Sequence, residues 1–248
     1  MITLPSRTDF GSGRLWSSVP APVTSFIGRE REKTLALELL QRPEIRLLTL
    51  KGPGGPGKTR FAIELCRSGE ELFADGVCFV PLAAVMDADL VTAAINHAIG
   101  AQTVDSLSDR DLLVRILTNA QVLLVLDNFE QVVEASPLLS DLLGACPALK
   151  IVVTSRALLR IAGEHVLPVP PLAVHAPGPA DSIDTVLRSP AVQLFSHRAQ
   201  SVNPAFAISE DNVATVAAIC QHMDGLPLAI EIAAAQSLVL PPDALLRR

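Results

Sequence analysis

Short apolar runs and amphipathic stretches alternate along the first two thirds of the chain. Glu44–Gly52 (EIRLLTLKG), Gly76–Leu82 (GVCFVPL), Gln121–Asp127 (QVLLVLD), Leu149–Ser155 (LKIVVTS) and Glu164–Val169 (EHVLPV) read as five strands. The third is apolar on both faces, as the middle strands of a parallel sheet are. Helical patterns lie between them: one from Lys58, Asp87–Ala98, Asp109–Thr118 behind the N-cap candidate Ser108, and Phe129–Leu143. Strand–helix alternation of this kind predicts an α/β fold with a doubly wound parallel five-stranded sheet.

The pattern then changes. Residues 170–188 carry several prolines and read as a linker, and everything beyond is helical in period. Ser189-Pro190 is an N-cap followed by proline at the first helical position, with Ala191, Leu194, Phe195 and Ala199 on one face. A second helix is expected from Ser209, with Val213, Val216, Ala217, Cys220 and Met223 facing inward and Gly225 at its C′ position. Leu226–Leu238 is apolar nearly all round and is expected to be buried; Glu231, its one charge, needs a partner, expected across a domain contact. Residues 1–22, rich in Ser, Gly and Pro, read as a flexible tail. The expected plan is therefore a tail (1–22), a nucleotide-binding domain (23–171), a linker (172–188) and a small helical domain (189–248).

Composition narrows the function classes. The chain has 248 residues, 49% of them hydrophobic, and a net charge of −6. It has no tyrosine and one tryptophan, so both the cationic surface and the stacking aromatics of a nucleic-acid binder are lacking. Apolar runs such as Val122–Leu126 are strand-sized, and the N-terminus lacks an apolar signal segment, which points to a cytoplasmic protein without membrane partners. Cys66, Cys78, Cys146 and Cys220 are scattered and read as buried reduced thiols.

The segment Gly52–Thr59, GPGGPGKT, matches G-x-x-x-x-G-K-[ST], the Walker A pattern, and follows a predicted strand and opens a helix. In that context backbone N–H groups and the helix N-terminus hold phosphate, Lys58 reaches the β/γ oxygens and Thr59 ligates Mg2+. Gly52, Gly54, Gly55, Pro56, Gly57, Lys58, Thr59 and Arg60 are the cofactor-binding candidates here. Two prolines sit oddly in such a loop, because proline has no N–H. Pro53 lies before the turn closes, where little is lost. Pro56 precedes Gly57 and Lys58, where one phosphate hydrogen bond is expected to be missing, and it should push Gly55 towards extended backbone.

Asp127 ends an apolar strand as a Walker B carboxylate does, and with Thr59 completes a metal pair. The next residue, where many P-loop ATPases carry a catalytic acid, is Asn128; an amide orients water but cannot take its proton. Glu130 has two readings, an acid turned inward to substitute or a solvated residue at a helix start. Arg156, just past the fourth strand, stands at the sheet edge where ligands bind; it either contacts the γ-phosphate or caps the strand end. The catalytic candidates are thus Lys58, Asp127, Asn128, Glu130 and Arg156, and hydrolysis should be slow.

FIGRERE (Phe26–Glu32), the glycine-rich loop, LDNFE, VVTSR and GLPLAIEIAAA (Gly225–Ala235) occur in the order seen in STAND-class signalling ATPases. Over about residues 22–248 the chain resembles the NB-ARC-like ATPase modules of bacterial LuxR- and AfsR-type transcriptional regulators. The resemblance implies that Phe26, Ile27 and Arg29 lie by the adenine, that Pro227 of a helical lid packs on the base, and that Arg156 is a sensor. It also implies ATP/ADP exchange as a conformational switch, with competence for nucleotide-dependent self-association. The winged-helix, repeat and DNA-binding domains of full-length members have no counterpart in these 248 residues; a nucleotide module, standing alone or cut from a longer chain, is the expectation. Two alternatives remain: an AAA-like ATPase coupling turnover to mechanical work, and a nucleotide-inert interaction fragment.

Overall fold

A computed structural model describes residues 16–102, 106–175 and 183–247. The chain divides into two compact units: Met1–Ser25, Arg31–Gly52 and Lys58–Pro168 form the first, and Phe26–Glu30, Pro53–Gly57 and Val169–Arg248 the second.

The first unit is a parallel sheet of β1 (Trp16–Ser18), β2 (Leu47–Lys51), β3 (Gly76–Pro81), β4 (Val122–Asp127), β5 (Lys150–Ser155) and β6 (Glu164–Pro168), in the order β1-β3-β4-β5-β2-β6. Helices α1 (Glu30–Gln41), α2 (Lys58–Gly69), α3 (Val91–Ala98), α4 (Asp109–Leu117) and α5 (Ser136–Ala145) connect the strands. The central strands β4 and β5 bury nearly every residue, which is why they read as unbroken apolar runs. Ser108 caps α4 by accepting from the Asp111 N–H. The Phe129–Leu143 pattern is not one helix: two 3-10 turns, Phe129–Gln131 and Val133–Ala135, precede α5.

Strand count and the tail differ from expectation. The sheet has six strands because Trp16–Ser18, inside the segment read as a tail, pairs with Gly76–Cys78. Trp16 is buried, and its indole N–H donates to the Ile99 carbonyl at 2.9 Å, so the large apolar ring is sheltered without an orphaned donor. Gly76 makes room: it has φ +103°, and a Cβ there would lie 1.8 Å from the Trp16 carbonyl oxygen. Residues 1–15 of the predicted tail lie outside the described residues.

The second unit contains α6 (Ile183–Leu187), α7 (Pro190–Val202), α8 (Val213–His222), α9 (Pro227–Ala235) and α10 (Pro242–Leu246). Its core gathers Val186, Ala191, Phe195, Val216, Cys220 and Ile230 with neighbours that include Leu172, so the segment read as a linker contributes both core and the short α6. Residues 176–182 of that segment lie outside the described residues. The second helix starts at Val213 rather than Ser209, because Asn212 Oδ1 accepts the Ser209 N–H and holds a turn ahead of it. The expectation that Leu226–Leu238 is wholly buried fails: Leu228 and Ile232 are each 57% exposed and Leu238 65%. Glu231 finds its counter-charge within this unit, 2.7 Å from Arg198 on α7, not across a domain contact.

All four cysteines are buried free thiols. No helix among the described residues is long and apolar enough to cross a membrane.

Candidate functional site

The sheet order decides which side chains meet in the first unit. β5 lies between β2, which leads into the glycine-rich segment, and β4, which ends in Asp127. The C-terminal ends of the three strands are therefore adjacent: Lys51 pairs with Ser155, and Leu126 with Val153. The Gly52 N–H donates to the Ser155 carbonyl at 3.3 Å, tying the exit of β2 to the exit of β5.

Asp127 is buried at this edge. Its Oδ1 and Oδ2 each lie 2.9 Å from the Thr59 hydroxyl, which donates to them, and Oδ1 also accepts from Thr154 Oγ1 at 2.6 Å. Burial raises the Asp127 carboxyl above its ordinary range, while the Thr154 and Thr59 hydroxyls pull the other way. A hydroxyl and a carboxylate converging at the start of a helix are hard-oxygen donors suited to Mg2+, which keeps several waters and takes few protein ligands. Among the described residues no three His, Cys, Asp or Glu side chains form a larger metal-binding group.

Lys58 opens α2 and is buried, its Nζ donating to the Gly52 carbonyl at 2.9 Å. Desolvation lowers its pKa most; Glu130 opposes that, Arg156 adds to it, and Asp127 opposes it. These four charges thus act on one another at the sheet edge. Arg156 Nε pairs with Glu130 Oε1 at 3.1 Å, the arginine side chain 65% exposed and the glutamate 15%. The Glu130 carboxylate is therefore engaged with Arg156 rather than freely solvated.

Asn128 has a conformational reason to be where it is. It adopts φ +64°, ψ +40°, the left-handed region that asparagine tolerates better than most residues. Its backbone N–H donates to Thr154 Oγ1 at 2.9 Å. Thr154 is absent from the sequence-based candidates, yet it links Asn128 to Asp127; its one signal is that it ends the apolar run Ile151–Val153. Arg60 donates from Nη2 to the Thr24 carbonyl.

In the second unit, Arg29 is buried with φ +66°, and its Nη2 donates to the Pro56 carbonyl at 2.6 Å. Pro56 lacks a donor, but its acceptor is held. Gly55 has φ +89° rather than the extended backbone expected ahead of proline, a conformation open to it because it lacks Cβ. A Cβ at Gly57 would approach Pro227 Cγ at 3.8 Å, so Pro227, at the start of α9, lies beside the loop. Ile27 packs against the helical core.

No protein-family model matches the chain. Curated relatives do. It is 38% identical over 225 residues to the uncharacterised protein Rv0894 of Mycobacterium tuberculosis, covering 90% of this chain and 53% of that protein. It is 40% identical over 198 residues to the "Putative HTH-type transcriptional regulator Rv0890c" of the same species, covering 79% of this chain and 21% of the regulator. The regulatory protein AfsR of Streptomyces griseus is 30% identical over 232 residues, 89% of this chain and 22% of AfsR. The chain is thus similar to segments of longer proteins, among them AfsR and a putative HTH-type transcriptional regulator. It spans about a fifth to about half the length of these relatives. Its fold is shared with the Walker-type ATPase PABY2304 of Pyrococcus abyssi (TM-score 0.59, 15% identity, 94% of this chain and 74% of that one). The Aeropyrum pernix ORC2 protein, solved as ADPNP-ADP complexes, has TM-score 0.56 and 14% identity, over 94% of this chain and 70% of that one.

Proposed function

We propose that this module binds ATP and ADP with Mg2+ and works as the nucleotide-dependent switch of a transcriptional regulator, hydrolysing ATP slowly. The observation that carries the reading is the meeting of Thr59 and Asp127 at 2.9 Å directly beside Lys58, at the start of the helix that follows the glycine-rich segment. In this reading Lys58 exchanges its bond to the Gly52 carbonyl for phosphate oxygens. Thr59 and Asp127 would hold Mg2+, which supplies charge neutralisation on the phosphates when bound. Thr154 keeps the Asp127 carboxylate oriented, and Arg29 fixes the Pro56 carbonyl so that the following N–H groups keep their direction. Phe26, Ile27, Arg29 and Pro227 are proposed at the adenine. Slow turnover is supported by Asn128, whose amide cannot accept a proton from water, and by Glu130, whose carboxylate is engaged with Arg156.

Thermal unfolding with and without Mg-ADP and Mg-ATP tests the reading. A ligand at a hundredfold excess over its dissociation constant adds about 2.7 kcal/mol. Stabilisation of that order is expected for the natural chain and none for Lys58→Ala. No stabilisation of the natural chain by either nucleotide overturns nucleotide binding. Sustained turnover above about one per second, ordinary for enzymes, overturns the switch in favour of a working ATPase.

A further inference from the structure

Two cations and two carboxylates occupy the sheet edge of the first unit: Lys58 and Arg156, Asp127 and Glu130. Asp127 is held by Thr59 and Thr154, whereas Glu130 is held by Arg156 through Oε1. The other oxygen, Glu130 Oε2, is buried without a hydrogen-bond partner. A carboxylate anchored on one side only, and 15% exposed, depends on that arginine for its compensation, because a buried charge left alone is costly. Arg156 is the more exposed partner, at the end of the strand between β2 and β4. It is thus the guanidinium that an anion arriving beyond the Lys58 end would meet, and the anion would have to take it from Glu130.

We infer that the Glu130–Arg156 pair sets nucleotide preference: Glu130 competes with a terminal phosphate for Arg156 and thereby biases the site towards the diphosphate. This inference rests on the nucleotide-binding reading above. In that reading a diphosphate is met by Lys58 with the pair intact. A triphosphate adds charge that must draw Arg156 away from Glu130, and breaking that pair weakens ATP relative to ADP. Glu130 is then a specificity-determining residue acting through Arg156.

The test is calorimetric titration of the full chain with Mg-ADP and with Mg-AMP-PNP, for the natural protein, Glu130→Gln, Arg156→Ala and the double variant. Partly exposed ion pairs contribute little, so the expected rise in triphosphate-over-diphosphate preference in Glu130→Gln is about two- to fivefold. Arg156→Ala should lower that preference, and adding Glu130→Gln to it should change the ratio no further. An unchanged ratio in Glu130→Gln, or a full gain surviving in the double variant, overturns the inference while ADP binding stands. Loss of ADP binding in the natural protein overturns the nucleotide reading and this inference with it. The single tryptophan's emission verifies that each variant is folded.

Discussion

Arg29 donates from Nη2 to the carbonyl oxygen of Pro56 at 2.6 Å, so a loop proline with no N–H to donate is fixed by the bond it accepts. A buried hydrogen bond with a charged partner contributes about 1.5–3 kcal/mol. Arg29→Ala should therefore lower unfolding stability in urea by about that amount. Pro56→Val restores an N–H ahead of Gly57 while leaving the carbonyl for Arg29. Calorimetry should show nucleotide binding tightened by up to about tenfold, a charge-assisted bond less the stiffness that proline supplied. Unchanged or weaker affinity would show that no phosphate bond was missing.

Asn128 separates conformation from chemistry. At φ +64° a residue with a Cβ meets a penalty of about 1–2 kcal/mol unless its side chain offsets it. Asn128→Ala should destabilise the protein by about 1 kcal/mol, and Asn128→Gly should cost little, both read from denaturant midpoints. If alanine and glycine behave alike, the left-handed backbone is not what selects asparagine.

The edge strand β1 hangs on Trp16. Replacing a buried aromatic with alanine costs about 3–5 kcal/mol, and Trp16→Ala should approach that in equilibrium unfolding. Gly76→Ala should free the same strand by forcing a Cβ against the Trp16 carbonyl. The readout is specific, because Trp16 is the only tryptophan: its emission should shift to the red in Gly76→Ala while the far-ultraviolet dichroism changes little.

Burial pushes the Cys78 thiol from 9.0 to about 11 and the Cys220 thiol to about 12, and raises Cys66 and Cys146 as well. Above pH 9 these thiols stay protonated in the folded chain and ionise in the unfolded one. The unfolded state then binds fewer protons, so stability falls as pH rises from about 9 towards 11–12. Urea midpoints across that range should show the fall, and serine at Cys78 and Cys220 should flatten it. At about pH 8 the native thiols should react with Ellman's reagent only as the protein opens, and all four promptly in denaturant.

β2, β3, β4 and β5 are legible because buried parallel strands are nearly continuous apolar runs, whereas β6 is a mostly exposed strand at the sheet's edge that begins with Glu164 and His165. β1 is not legible, since three residues, Trp16–Ser18, carry no period. Their order rests on one indole and on the space left by Gly76, far along the chain. The Phe129–Leu143 pattern misleads for a related reason: apolar spacing does not distinguish 3-10 turns from an α-helix when the first residues turn about a left-handed asparagine.

Among the candidate site residues, spacing places Lys58 and Thr59 on one strand–loop–helix unit and Asp127 at a strand end. It does not say that Arg60 turns to Thr24, that Thr154 supports Asp127, or that Glu130 meets Arg156.

The sequence by itself determined the local elements and the chemical groups at their ends, because helix and strand periods and the glycine-rich spacing are properties of neighbouring residues. Tertiary structure decided which of those groups pair. Thr59 with Asp127 and Thr154 with Asp127 are set by which strand ends lie side by side, and β5 between β2 and β4 is a choice made by the packed sheet. Arg29 with Pro56 is likewise a contact of folded chain, made across 27 positions. Hydrogen bonds and ion pairs of this reach depend on burial and on the approach of distant backbone, and neither is written in a run of adjacent residues.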